Sequence, residues 1–170
     1  WAASDGDAVV YCGGINMSWN QPAAQAGSMT QETLDHYEEG TWTPTLYDDD
    51  GAFDNHDVAA GFYTKIGNRV YCGGAVSTDD SSSITGAHAI RMLGLPFTSS
   101  STANAYSGGG INYAYGLAIT AGNTVGIRVE LNGTRCYLPV WSATTGTPGL
   151  TCTQWNNGVM RFHFSYQAAT

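Results

Sequence analysis

The chain has 170 residues, of which 42% are hydrophobic and only 12% charged, and its formal net charge is -8. That length holds one domain with its own core, and that apolar fraction excludes a disordered acidic chain. The negative balance argues against nucleic acid and against anionic lipid, both of which are gripped through basic residues.

No apolar run approaches the ~20 residues needed to cross a bilayer. Twenty-two glycines beside so few charges do not fit an exposed helical bundle. No secretory signal pattern opens the chain, and a tryptophan at position 1 reads as a fragment or processed product.

Residues 8–12 read as a strand. Val10-Tyr11-Cys12-Gly13-Gly14 recurs as Val70-Tyr71-Cys72-Gly73-Gly74, but the flanks do not continue the match. Two strands ending in similar glycine turns explain this better than a duplication, which would extend over a whole unit. Residues 21–27 read as linker. Ser28 and Gln31 have capping-box spacing, so residues 28–36 are expected to hold a short helix. Its apolar residues, Met29 and Leu34, are too few to stabilise it alone. Residues 1–33 therefore form an N-terminal extension, and residues 34–170 a β domain.

Gly40 opens the first clear strand, over residues 41–46. Pro44 cannot donate to a ladder, so this strand belongs at a sheet edge. Asp48, Asp49, Asp50, Asp54 and Asp57 follow within ten residues. Aligning Gly51 with the glycine of an EF-hand puts Leu46 at the first ligand position, so that motif fails. A solvated acidic turn is the default reading, with a different calcium site as the alternative. No metal is assigned.

Residues 61–77 alternate as a hairpin about the Gly67-Asn68 turn. A polar loop, a strand over 87–93 and the break Gly94-Leu95-Pro96 come next. Residues 98–110 form a long Ser/Thr/Gly/Asn-rich loop containing Tyr106. Residues 111–119 alternate bulky and small with both faces fairly apolar, which suits a central strand. Residues 125–131 alternate again, and Asn132-Gly133 turns the chain into residues 134–140. Residues 141–157 are loop-like and hold Trp141 and Trp155. Residues 159–167 place Met160, Phe162, Phe164 and Tyr166 on one face. Short strands at this spacing predict an all-β fold, an antiparallel β-sandwich of jelly-roll type.

Three blocks stand in order: Tyr37-Glu38-Glu39-Gly40-Thr41-Trp42-Thr43-Pro44, then Tyr63-Thr64-Lys65-Ile66-Gly67-Asn68 with Val70, then Gly94-Leu95-Pro96-Phe97. With their flanks they cover residues 34–97, and in this the chain resembles the C-terminal knob domains, the receptor-binding tips, of bacteriophage tail fibres and related virion fibre proteins. The resemblance implies a homotrimer at the tip of a tail fibre on the virion. It implies partners among host surface polysaccharides or other outer-surface receptors, and among other virion proteins. It also implies folding in reducing cytoplasm, so that Cys12, Cys72, Cys136 and Cys152 read as free thiols packed as small hydrophobes.

Catalytic signatures are absent: no G-x-S-x-G elbow, HExxH, Walker loop or dinucleotide fingerprint. His36, His56, His88 and His163 are scattered. Glycan cleavage needs two carboxylates flanking the scissile bond. Glu38 and Glu39 are adjacent and point to opposite faces of an extended strand. Asp79, Asp80 and Glu130 could still converge in space. No catalytic residue or cofactor is assigned.

The positive signal is aromatic, since an aromatic face stacks on a sugar ring while amides and hydroxyls bond its hydroxyl groups. Tyr106, Trp141 and Trp155 lie in loop-like contexts, and Trp155 has Gln154, Asn156 and Asn157 beside it. Trp155 reads equally well as a tryptophan plugging the sandwich end. The expectation is host-glycan attachment without turnover. A structural role in a head fibre, decoration or shaft-cap domain is one alternative; a glycan hydrolase or esterase is another.

Overall fold

The computed structural model describes residues 15–16, 33–34, 37–51, 55–80, 84, 86–102 and 107–169. The strands are β1 (Ile15–Asn16), β2 (Thr33–Leu34), β3 (Tyr37–Trp42), β4 (Thr45–Tyr47), β5 (Asn55–Ile66), β6 (Arg69–Asp80), β7 (Arg91–Leu93), β8 (Ser107–Leu117), β9 (Thr124–Val129), β10 (Arg135–Tyr137), β11 (Val140–Trp141) and β12 (Trp155–Gln167). β1 and β2 form a separate two-stranded ladder. The other ten strands form one sheet, in the order β3-β5-β6-β12-β8-β9-β10-β7-β4, with β11 attached to β9. Every pairing is antiparallel.

The fold is thus all-β, an antiparallel curled sheet in the form of a half-barrel. Its hydrogen bonding draws one continuous path, where the sequence predicts the two separate sheets of a jelly roll. The reason lies at a corner. β3 and β4 are the opposite ends of the path, yet only Thr43 and Pro44 join them. Three peptide links span at most ~11 Å, so the two edges must approach each other. Pro44, which has no N–H to give a ladder, makes this turn between edges.

Side chains fasten the corner. The Trp42 indole lies over its cross-strand partner Gly61, where an added Cβ would stand 2.3 Å from Nε1. The indole N–H donates to the Phe62 carbonyl at 3.3 Å. Gly94 has φ +93°, and a Cβ there would lie 2.3 Å from the Thr43 oxygen. The Tyr63 hydroxyl donates to Glu38 at 2.6 Å, and its ring meets Phe97 edge-on at 5.3 Å. Across the seam, the Leu46 N–H donates to Nε2 of His56, on β5, at 2.7 Å. The three blocks of the resemblance are therefore one packed corner.

The core lies inside the curl. Met160, Phe162, Phe164 and Tyr166 of β12 are buried, as are Val70, Cys72 and Val76 of β6 and Val129, Cys136 and Leu138 from the other half of the sheet. Trp42 packs against Phe162 and Phe164, with ring centroids 6.0 Å away in each case. Cys72 and Cys136 are free thiols. Burial pushes the Cys72 thiol up to about 12 and raises that of Cys136 as well.

Most of the expected helix over 28–36 lies outside the described residues, as does the expected strand over 8–12. Within the former, Thr33–Leu34 is strand paired to β1. Residues 141–157 are more regular than a loop. Trp141 belongs to β11, Cys152–Gln154 form a 3-10 turn, and Trp155 begins the 13-residue β12. β11 and the 3-10 turn carry too few residues for a period to register in sequence.

Candidate functional site

Two turns stand side by side at one end of the sheet. β11 pairs with β9 through Val140↔Val125 and Trp141↔Thr124, which brings the turn before β9 against the turn after β11. The first turn closes with the Asn123 N–H donating to the Thr120 carbonyl at 3.0 Å. The second is laced by Ser142: its backbone exchanges bonds with Gly146 at 2.8 and 3.0 Å, and its hydroxyl accepts from the Thr144 N–H at 3.3 Å. Ser142 Oγ also bonds Thr144 Oγ1 at 3.1 Å.

Between the turns lies an open depression of about 470 Å³, lined by residues 120–123 and 142–145. That volume is within the usual range for small-molecule sites. The lining carries hydroxyls from Thr120, Ser142, Thr144 and Thr145, the Asn123 amide, and alanine and glycine backbone. None of these groups ionises near neutral pH, so the chemistry on offer is hydrogen bonding. Trp141 is not part of the lining; it precedes Ser142 in the chain and is 56% exposed, between buried Val140 and Ser142. Strand alternation turns its ring out where its neighbours turn in.

The structure treats the five sequence-predicted site residues differently. Trp141 is exposed, one residue before the lining begins at Ser142. Tyr106 lies outside the described residues. Trp155 is corrected: it is 1% exposed, Gly158 packs under its ring, and its indole N–H donates to Thr78 Oγ1 at 2.8 Å. A ring enclosed in this way has no face to offer a sugar. Gln154 is used locally, accepting the Thr151 N–H at 3.0 Å in the capping box of the 3-10 turn. Asn156 is exposed, but it stands beside this buried ring instead of an open one. The reading of Trp155 as a plug for the end of the sheet is the one its surroundings match.

Five of the carboxylates are engaged elsewhere. Glu38 accepts from Tyr63 and Glu39 from Tyr37, which raises both tyrosine hydroxyls above their ordinary values. Glu130 sits between Arg91 at 3.0 Å and Arg135 at 2.5 Å. Asp49 faces Arg91 at 3.3 Å, and Asp50 faces His88 at 2.9 Å. Among the described residues, no three metal-ligating side chains converge.

Sequence reasoning missed the Thr120–Asn123 turn. The available signal was the small polar run following Trp141; its partner turn became visible only through the β9–β11 pairing. It also missed an outward aromatic face, because alternation cannot say which of two apolar faces is covered.

No protein-family profile and no curated protein sequence matches the chain. Among solved structures, the crystal structure of Dettilon tailspike protein (gp208) is similar, with a TM-score of 0.65 and 15% sequence identity. The match covers 78% of this chain and 24% of the tailspike, so the chain spans about a quarter of that protein's length. The chain has a fold found within a phage tail protein.

Proposed function

We propose that this chain is a glycan-binding tip domain of a phage tail fibre or tailspike, attaching the virion to a host surface polysaccharide without turnover. The observation that carries the reading is a hydroxyl- and amide-lined depression on a tailspike-like fold, with the exposed Trp141 next in the chain to its lining residue Ser142. A ring face takes the apolar side of a sugar, and the surrounding hydroxyls exchange hydrogen bonds with its edge. The lining supplies no general acid or base. In a homotrimer, three weak sites on a repetitive polymer gain avidity through effective concentration.

The test is binding of the purified chain to host polysaccharide and host cells. Trp141→Ala should abolish binding in a folded protein, and no new reducing ends or acetate should appear in solution. Chain release or deacetylation would instead support a hydrolase or esterase. A structural virion role is the second reading, favoured by an outward face rich in exposed aromatic side chains.

A further inference from the structure

The half of the sheet made by β3, β5, β6, β12 and β8 has an outward face that nothing in the chain's described residues covers. Register identifies it. On β12, Val159, Arg161, His163 and Ser165 alternate with buried Met160, Phe162 and Phe164. Their cross-strand partners include Tyr115 for Val159, Tyr113 and Ala75 for Arg161, Gly73 for His163 and Tyr71 for Ser165. Phe62 pairs with Gly73, and its ring lies over that glycine.

The face is aromatic and open. Phe62 is 65% exposed, Tyr71 51%, Tyr113 51% and Tyr115 70%, and Tyr37 at 59% extends the patch on β3. At about 200 Å² per aromatic side chain, these five rings alone leave roughly 600 Å² uncovered. One partner in a stable interface contributes ~800 Å². Isolated rings are ordinary on a surface; an apolar patch of this size stands at the upper end of what a monomer carries, where patches are often functional.

We infer that this face is where copies of the chain dock on one another. Three observations select a second copy as the occupant. The composition is that of an interface centre: tyrosine, phenylalanine and arginine, with no lysine. The face is also close to neutral, Arg69 and Arg161 set against Glu39, Asp57 and Asp79, in a chain of net charge -8. Two acidic copies repel least where they meet through such a surface. Finally, it is self-complementary. Arg161 lies 5.5 Å from the centre of the Tyr113 ring, so the same face supplies both cation and ring. At Gly110 it is bare, an added Cβ meeting nothing within 4 Å, which leaves room beside the rings. The inference goes beyond the glycan reading and stands without it.

The experiment is sedimentation equilibrium of the 170-residue chain from about 1 to 50 µM, a range that brackets ordinary specific association. The wild type should associate, and the Tyr71→Glu/Tyr115→Glu double variant should weaken association by at least ~100-fold, as loss of central aromatic anchors does. Its circular dichroism should be unchanged. Trp141→Ala, outside the face, should keep the wild-type mass. Because the double variant could misfold, the wild type is also footprinted with hydroxyl radicals: Tyr71 and Tyr115 should become protected as concentration rises. A wild-type monomer at 50 µM, a double variant of unchanged mass, or tyrosines equally reactive at all concentrations overturns the inference. A monomer whose face variants lose polysaccharide binding overturns it too and makes the face a ligand platform. A monomer that binds polysaccharide through Trp141 leaves the glycan reading standing, and an oligomer that binds none does the reverse.

Discussion

The Trp42 indole rests directly on Gly61, its partner across the β3–β5 ladder. The contact is tight enough that Gly61 has no room for even one methyl group. Gly61→Ala should force the indole out of its place over Phe162 and Phe164, costing about 1–3 kcal/mol. Trp42→Ala should cost about 3–5 kcal/mol, because it empties the same corner. Denaturant unfolding of each variant measures both. A neutral Gly61→Ala would mean that the corner is looser than its geometry.

The seam offers a second test. Leu46 is fully buried, and its N–H donates to His56 Nε2. A backbone amide can only donate, so the imidazole must present a lone pair. His56→Ala leaves a buried donor unpaired and should cost about 1–3 kcal/mol. His56→Gln, whose amide oxygen can accept, should recover part of that loss. Exchange of the Leu46 amide hydrogen should accelerate in the alanine variant and slow again in the glutamine variant.

The two tryptophans of the last third should behave in opposite ways. Trp155→Ala should destabilise by about 3–5 kcal/mol, since it removes a buried ring and strips Thr78 of its partner. Trp141→Ala should leave stability within about 0.5 kcal/mol, as substitutions at exposed sites do. Thermal unfolding of the pair separates the buried tryptophan from the exposed one.

Alkali provides a fourth prediction. Burial raises Cys72 to about 12, and it raises Cys136 and the Tyr166 hydroxyl above their ordinary values. In the unfolded chain these groups release protons at lower pH than in the fold, so between about pH 9 and 12 the unfolded state binds fewer protons. Stability is then fully present below about pH 9 and falls as pH rises towards 12. Denaturant midpoints across that interval check the sign. Cys72 and Cys136 should also resist thiol reagents at pH 8 until the chain unfolds.

What the sequence made legible followed from period and turn chemistry. Alternation located Met160 to Tyr166 and the hairpin at Gly67-Asn68, and Pro44 marked an edge. Closure of the curl was hidden, because it depends on Trp42, Gly61, Gly94 and Thr43, which meet only in three dimensions. Trp155 illustrates the limit on the site. Amide neighbours look like sugar ligands in sequence, but here Gln154 caps a turn and the ring fills the core. Trp141 is exposed, because a tryptophan before a run of small polar residues has little to bury it. The facing turn at Thr120–Asn123 sits some twenty residues away and could be found only through strand pairing.

The most direct measurement is equilibrium binding of the folded chain to purified host surface polysaccharide, beside Trp141→Ala and Trp155→Phe. The expected result is saturable binding that Trp141→Ala abolishes and Trp155→Phe, if folded, preserves. Unchanged binding by a folded Trp141→Ala protein would contradict the assignment of the site at the β9–β11 end.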